Sequence, residues 1–210
     1  MSTVDVTTHH AHHESHEVVT SRELVGVWLF IAGDAVILTA LLFTYLYLRG
    51  LNTAKQWMPQ GVHGASTLMT WLVVAVVAVS AWAVWSGEKS IGRGRSAVPG
   101  ALLGTVLAAV GVVLSITAIA NIPHAENVTS GVRQVAGSYA SSLMAIDVSN
   151  VVHLVLLVFL GLAVSSRAKK GLISAARPGH ARLVRIFWVW VSVSIAVAAI
   201  MTTLFVASPK

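Results

Sequence analysis

Residues 24–48 read LVGVWLFIAGDAVILTALLFTYLYL, an unbroken apolar run in which Asp34 is the only charged residue. A transmembrane helix needs about 20 predominantly apolar residues to cross a hydrocarbon core of roughly 30 Å. This stretch is long enough, and Glu23 and Arg49 bracket it. Four more blocks of the same kind follow, at 66–85, 98–122, 138–164 and 186–207, with nearly all the remaining charge in the segments between them. The sequence therefore predicts an all-α fold, an integral membrane bundle of five transmembrane helices. It divides into a disordered His-rich arm over 1–22 and a membrane domain over 23–210.

Composition agrees. Of 210 residues, 56% are apolar and 10% charged, where soluble domains average about 45–50% and 25%. So few charges cannot cover a water-soluble surface. The formal net charge of +6 comes from 14 Lys and Arg scattered between apolar blocks, a pattern of topology signals that argues against a nucleic-acid partner. The absence of cysteine excludes disulfides, thiolate metal sites and thiol nucleophiles. The start, MSTVDVTTHHAHHESHEVV, has neither the basic region nor the short apolar core of a cleaved signal peptide, so the first span is expected to remain.

Basic residues are retained on the cytoplasmic side. Arg22, Lys89, Arg93, Arg95, Arg167, Lys169, Lys170, Arg177, Arg182 and Arg185 fall on one side, against Arg49, Lys55, Arg133 and Lys210 on the other. The expected orientation has the N-terminus in the cytoplasm and the C-terminus outside, in a bacterial plasma membrane. Aromatic belts at the interfaces would account for Trp28, Trp82, Trp85, Trp188 and Trp190 at the inner face and Tyr45, Tyr47 and Trp71 at the outer one. In the third span Gly100 and Gly104 have the GxxxG spacing, with Gly111 seven residues on. Small residues so placed let helices approach closely.

Polar residues inside the spans carry the functional signal, because an ionisable group at the bilayer centre costs roughly 2.5–3.5 kcal/mol even on insertion scales. Asp34 lies ten residues into the first span, about 15 Å deep at 1.5 Å per residue. Asp147, Asn150 and His153 follow each other at spacings of three in the fourth, along one slanted helical stripe. Asp34 suits proton exchange, a polar contact between subunits, or a neutral carboxyl bonded to a neighbouring helix. His153 suits a shared site or a satisfied hydrogen bond. One histidine, two acids and a few dispersed Met do not make a haem or copper site, and no GxSxG or HExxH pattern marks a hydrolase. No catalytic centre is expected in this chain. In the arm, His9, His10, His12, His13 and His16 are interleaved with Glu14 and Glu17. Such tracts bind zinc or copper weakly.

The first span, with Gly26, Trp28, Phe30, Gly33, Asp34, Phe43, Tyr45 and Tyr47 in order, resembles the opening helix of the short, five-helix form of haem–copper oxidase subunit III. The family has Gly-x-Trp-x-Phe there, then a small residue, a membrane carboxylate and aromatics ending in Tyr. It usually carries Glu where Asp34 stands, and Asp is associated with its nitric-oxide-reductase-related branch. The fourth span, GSYASSLMAIDVSNVVHLVLLVFLGL, is similar to the family helix bearing His-Gly-x-His, with His153 on the second histidine and Asn150 replacing the first. The last span keeps Trp188 of a Tyr-Trp-His-Phe-Val-Asp pattern, while Val189 and Ser192 replace its His and Asp. The third span ends in Asn121 and His124, without the family's acidic-aromatic pair.

The resemblance implies an accessory subunit of a respiratory terminal oxidase that couples oxygen reduction to proton translocation. Haem and copper would belong to partner subunits, this chain would pack on catalytic subunit I, and phospholipid would lie in a cleft. Asp34, Trp28, His153, Asp147 and Asn150 become candidates for proton uptake, lipid binding or subunit contact. Two other readings stay open: a small proton, cation or metal transporter with Asp34 and Asp147 on its path, and an assembly factor for an oxidase or a nitric oxide reductase.

Overall fold

The structure, a computed structural model, describes residues 16–52, 57–58, 64–122, 137–175 and 177–206. Among these residues the chain is all-helical: α1 (His16–Leu51), α2 (Thr67–Ile91), α3 (Val98–Ala120), α4 (Gly137–Lys169) and α5 (Gly179–Leu204). Each helix is long and apolar enough to cross a membrane.

The helices overrun the apolar blocks. α1 starts at His16, so that residues 16–22, assigned by composition to the arm, form its first turns. α4 runs on through Arg167 to Lys169, and α5 begins at Gly179, ahead of Arg182 and Arg185. Helix formation satisfies backbone groups whether the side chain is apolar or basic, and long basic side chains can reach the interface from inside a helix. Arg185 also has a direct partner, since its Nε meets Glu88 on α2.

α1 packs on α4 and α5 but on neither α2 nor α3; α2 lies on α3 and α5, and α4 on α3 and α5. Lipid gives no hydrophobic drive for helix association, so close approach and interhelical hydrogen bonds hold such a bundle. Both are present at α2–α3. A Cβ on Gly100 would fall 2.6 Å from Ala83 O and Gly87 Cα, so only glycine admits this approach. Nearby, Ser80 Oγ donates to Gly104 O at 2.7 Å and accepts from Trp188 Nε1 at 2.8 Å.

The helix ends are sealed differently. At one end, called the Trp57 end below, Tyr45, Trp57 and Tyr139 form an edge-to-face aromatic box with centroids 5.0–6.2 Å apart. Tyr45 Oη donates to Phe205 O at 3.1 Å, Trp57 Nε1 to Val206 O at 2.7 Å, and Tyr139 Oη accepts from Ala65 N at 2.8 Å. These bonds tie the α1–α2 connection to the start of α4 and the end of α5. At the other end Ile91, Ala97, Ala101, Val164, Ile173 and Ala181 form a small core next to the Glu88–Arg185 pair.

Two interface assignments change as a result, and a third, that of Trp190, changes at the site described below. Tyr45 and Trp188 were expected at the membrane surface, but both are fully buried. Tyr45 packs in the aromatic box. Trp188 lies in the central core and donates to Ser80, because α5 starts earlier than its apolar block and carries Trp188 deeper. Trp28, Tyr47, Trp71, Trp82 and Trp85 are exposed on the outside of the bundle.

Candidate functional site

Three helices converge on Asp34. It sits midway along α1 with 9% of its surface exposed, and both carboxyl oxygens are engaged. His153 Nε2, from α4, lies 2.8 Å from Oδ1. Trp190 Nε1, from α5, donates to Oδ2 at 2.6 Å. The other imidazole nitrogen, His153 Nδ1, lies 2.7 Å from the carbonyl oxygen of Ser149. This last contact fixes the hydrogen count.

A backbone carbonyl only accepts, so Nδ1 must carry a hydrogen and donate to it. In a neutral imidazole Nε2 is then a bare acceptor, and so is an ionised carboxylate. The 2.8 Å contact between them forms only if one proton lies in it, either on Asp34 as a carboxylic acid or on His153 as an imidazolium. Both forms leave the pair with no net charge, which suits a site this deep in the membrane. Removing the proton leaves a buried anion. A second proton leaves Nε2 and a protonated oxygen facing each other as donors. The contact therefore holds a single proton, and Trp190 fixes the carboxyl rotamer by holding its second oxygen.

The remaining candidates lie elsewhere. Asp147 and Asn150 do not join His153 at Asp34, although they share its helix. They line a cavity of about 20 Å³ between α2, α3, α4 and α5. Successive steps of three residues turn 60° round the helix, so six residues separate the two faces by about a third of a turn. Trp28 is 55% exposed, on the surface of α1. His9, His10, His12 and His13 lie outside the described residues, as does the side chain of His16. Among the described residues, no three of His, Cys, Asp and Glu come together as a metal-binding group.

Trp190 is the site residue that the sequence reading missed as such. A tryptophan four residues into an apolar block reads as an interface anchor, and only the earlier start of α5 puts it at the depth of Asp34.

α1 is the least covered helix. Its outward side carries Gly26, Gly33 and Ala40, seven residues apart. A Cβ added at Gly26 or Gly33 would meet nothing within 4 Å, so packing inside the chain does not require glycine at either position.

No known protein family matches this chain, and neither does any curated protein.

Proposed function

We propose that the chain is an accessory subunit of a haem–copper terminal oxidase, akin to subunit III, and that it supports proton uptake, lipid binding and stability of the complex. Haem and copper then sit in the catalytic subunit. One observation carries the reading: Asp34 and His153, the carboxylate and histidine positions of the resemblance, are joined by a hydrogen bond that holds one proton. Two unrelated resemblances in α1 and α4 would have no reason to meet at one bond.

The outward stripe of Gly26, Gly33 and Ala40 supports a partner on α1. Two glycines that no contact within the chain demands suit close approach by another helix. Lipid binding is supported by an apolar groove of about 430 Å³ between α1, α4 and α5, lined by Val27, Phe30, Leu156, Leu160, Leu183 and Phe187, which suits an acyl chain; Gly26 lies at its edge, where the groove meets the outward stripe.

The test is gentle purification of the native complex. A haem-bearing partner in fixed stoichiometry supports a permanent subunit, and a substoichiometric one points to an assembly factor. Isolation with no haem protein overturns the reading.

The proton held between Asp34 and His153 also favours a second reading, a small proton or cation transporter. Reconstitution of the purified chain in liposomes separates the two. Proton flux by this chain alone, abolished by Asp34→Asn, selects transport.

A further inference from the structure

The cavity beside Asp147 stands apart from the Asp34 cluster and has chemistry of its own. Thr70 of α2, Ser115 of α3, Asp147 and Asn150 of α4, and Thr202 of α5 supply its polar lining. Ser115 is 4% exposed, and its hydroxyl has no hydrogen-bond partner among the described residues. The same holds for the Asp147 carboxyl and the Asn150 amide. Ser115 is buried and Asp147 and Asn150 are half-buried, and polar groups without a protein partner inside a bundle suit an occupant such as a water or an ion. A volume of about 20 Å³ admits a guest the size of a water molecule.

The free bonding capacity is rich in acceptors. Thr70 Oγ1 donates to Ser66 O at 3.1 Å and Thr202 Oγ1 to Ala198 O at 2.9 Å, so their hydrogens are committed to their own helices. Only oxygen lone pairs remain to face the cavity from these two residues. The Asp147 carboxylate and the Asn150 and Ser115 oxygens add to them. Such hard oxygen donors suit hard cations. A single carboxylate balances a single positive charge, whereas a divalent ion would leave net charge within the membrane, which is costly. The small cavity favours the smaller alkali ion.

We propose that Asp147, Asn150, Ser115, Thr70 and Thr202 form a binding site for one sodium ion in the core of the bundle. The site lies about 9 Å from His153 along α4, six residues at 1.5 Å each. It is lined by α2, α3, α4 and α5, the helices other than α1, so bound sodium braces the part of the bundle on which α1 docks. The assignment does not depend on the oxidase reading, since sodium binding is measured on the chain alone.

The test uses the purified full chain in detergent, unfolded thermally in sodium chloride or choline chloride at equal ionic strength. Sodium is expected to raise the midpoint by roughly 3–5 °C for each tenfold increase above its dissociation constant, with potassium giving less. Asp147→Asn should abolish the difference between the two salts. Ser115→Ala, which removes one donor and leaves the charge, should shift the response to higher sodium concentration. Equilibrium dialysis against radioactive sodium gives a second reading that needs no variant. One ion retained per chain, displaced by unlabelled sodium, supports the site. Equal midpoints in sodium and choline with no ion retained overturn it and leave the cavity to water. A sodium response that survives in Asp147→Asn overturns it as well.

Discussion

Asp34 and Asp147 are acids of the same kind within the apolar spans of two packed helices, about 9 Å apart along the helix axes, and the bundle treats them in opposite ways. Asp34 has a partner on each oxygen, one from α4 and one from α5, and lies where α1 meets the rest of the chain. Asp147 has no hydrogen-bond partner among the described residues and faces a cavity lined by the other four helices. A carboxyl held by protein groups on both oxygens is a fixed part of the fold, and its proton is shared with a defined neighbour. A carboxyl left open to a cavity takes its partner from solution. The two sites therefore respond to different perturbations: the first to loss of a side chain, the second to a change of solute.

The largest effect is expected from breaking the first site. His153→Leu strands Asp34 with Trp190 alone, and removing one partner of a buried charged pair costs about 3–5 kcal/mol. Unfolding of the detergent-solubilised variant should show that loss. A loss under 1 kcal/mol would mean that Asp34 is as independent of its surroundings as Asp147. Coupling is the sharper measure. Asp34→Asn combined with His153→Leu should destabilise by clearly less than the sum of the single changes, because the two residues share one bond.

Trp190→Phe comes next. It keeps the ring and removes the N–H donor to Oδ2, leaving that oxygen unpaired. Hydrogen bonds to charged groups are worth about 1.5–3 kcal/mol, and a loss in that range, below that of His153→Leu, is expected in the same unfolding measurement. If Trp190→Phe is neutral, the carboxyl is held by His153 alone and the tryptophan is only a packing element.

How far these sites could be read in the sequence follows from the same physics. Helix number was legible because a bilayer demands long apolar runs, and few other structures need them. Asp34 and His153 stood out singly, since any ionisable residue in such a run is conspicuous. Their pairing was not legible, because α1 and α4 meet only through tertiary packing. The stripe Asp147, Asn150, His153 suggested one polar face, yet the helix turns far enough over six residues to put its ends at different sites. Trp188 and Trp190 were misplaced for a simple cause. Basic residues were read as marking the edge of the span, whereas Arg182 and Arg185 lie within α5, and Glu88 provides for the second of them.

Asp147→Asn should reverse the sign seen at the first site. In choline, without sodium, the native carboxyl has no bonded partner to lose. An unpaired charge away from water is costly, so an uncharged side chain of the same shape should be neutral or stabilising here, by up to about 1 kcal/mol. A loss of several kcal/mol in choline would show that protein groups already satisfy Asp147, and the contrast between the two acids would collapse.

The smallest effect on stability belongs to Gly33→Leu, one residue from Asp34 and about 100° round α1 from it. Nothing lies within 4 Å of a Cβ placed there, so the chain alone should tolerate the change within about 0.5 kcal/mol, as surface substitutions do. It should even gain slightly, since leucine is a better helix former than glycine. The same leucine projects into the space that a helix packed on Gly26, Gly33 and Ala40 would occupy. Copurification of the partner should therefore fall while the unfolding midpoint of the isolated chain holds. Gly100→Leu should do the reverse at the level of the chain: its Cβ would meet the backbone of α2 at 2.6 Å, and the bundle itself should open. If both glycines behave alike in the isolated chain, the outer stripe of α1 is packed within this chain, and the surface assigned to a partner is lost.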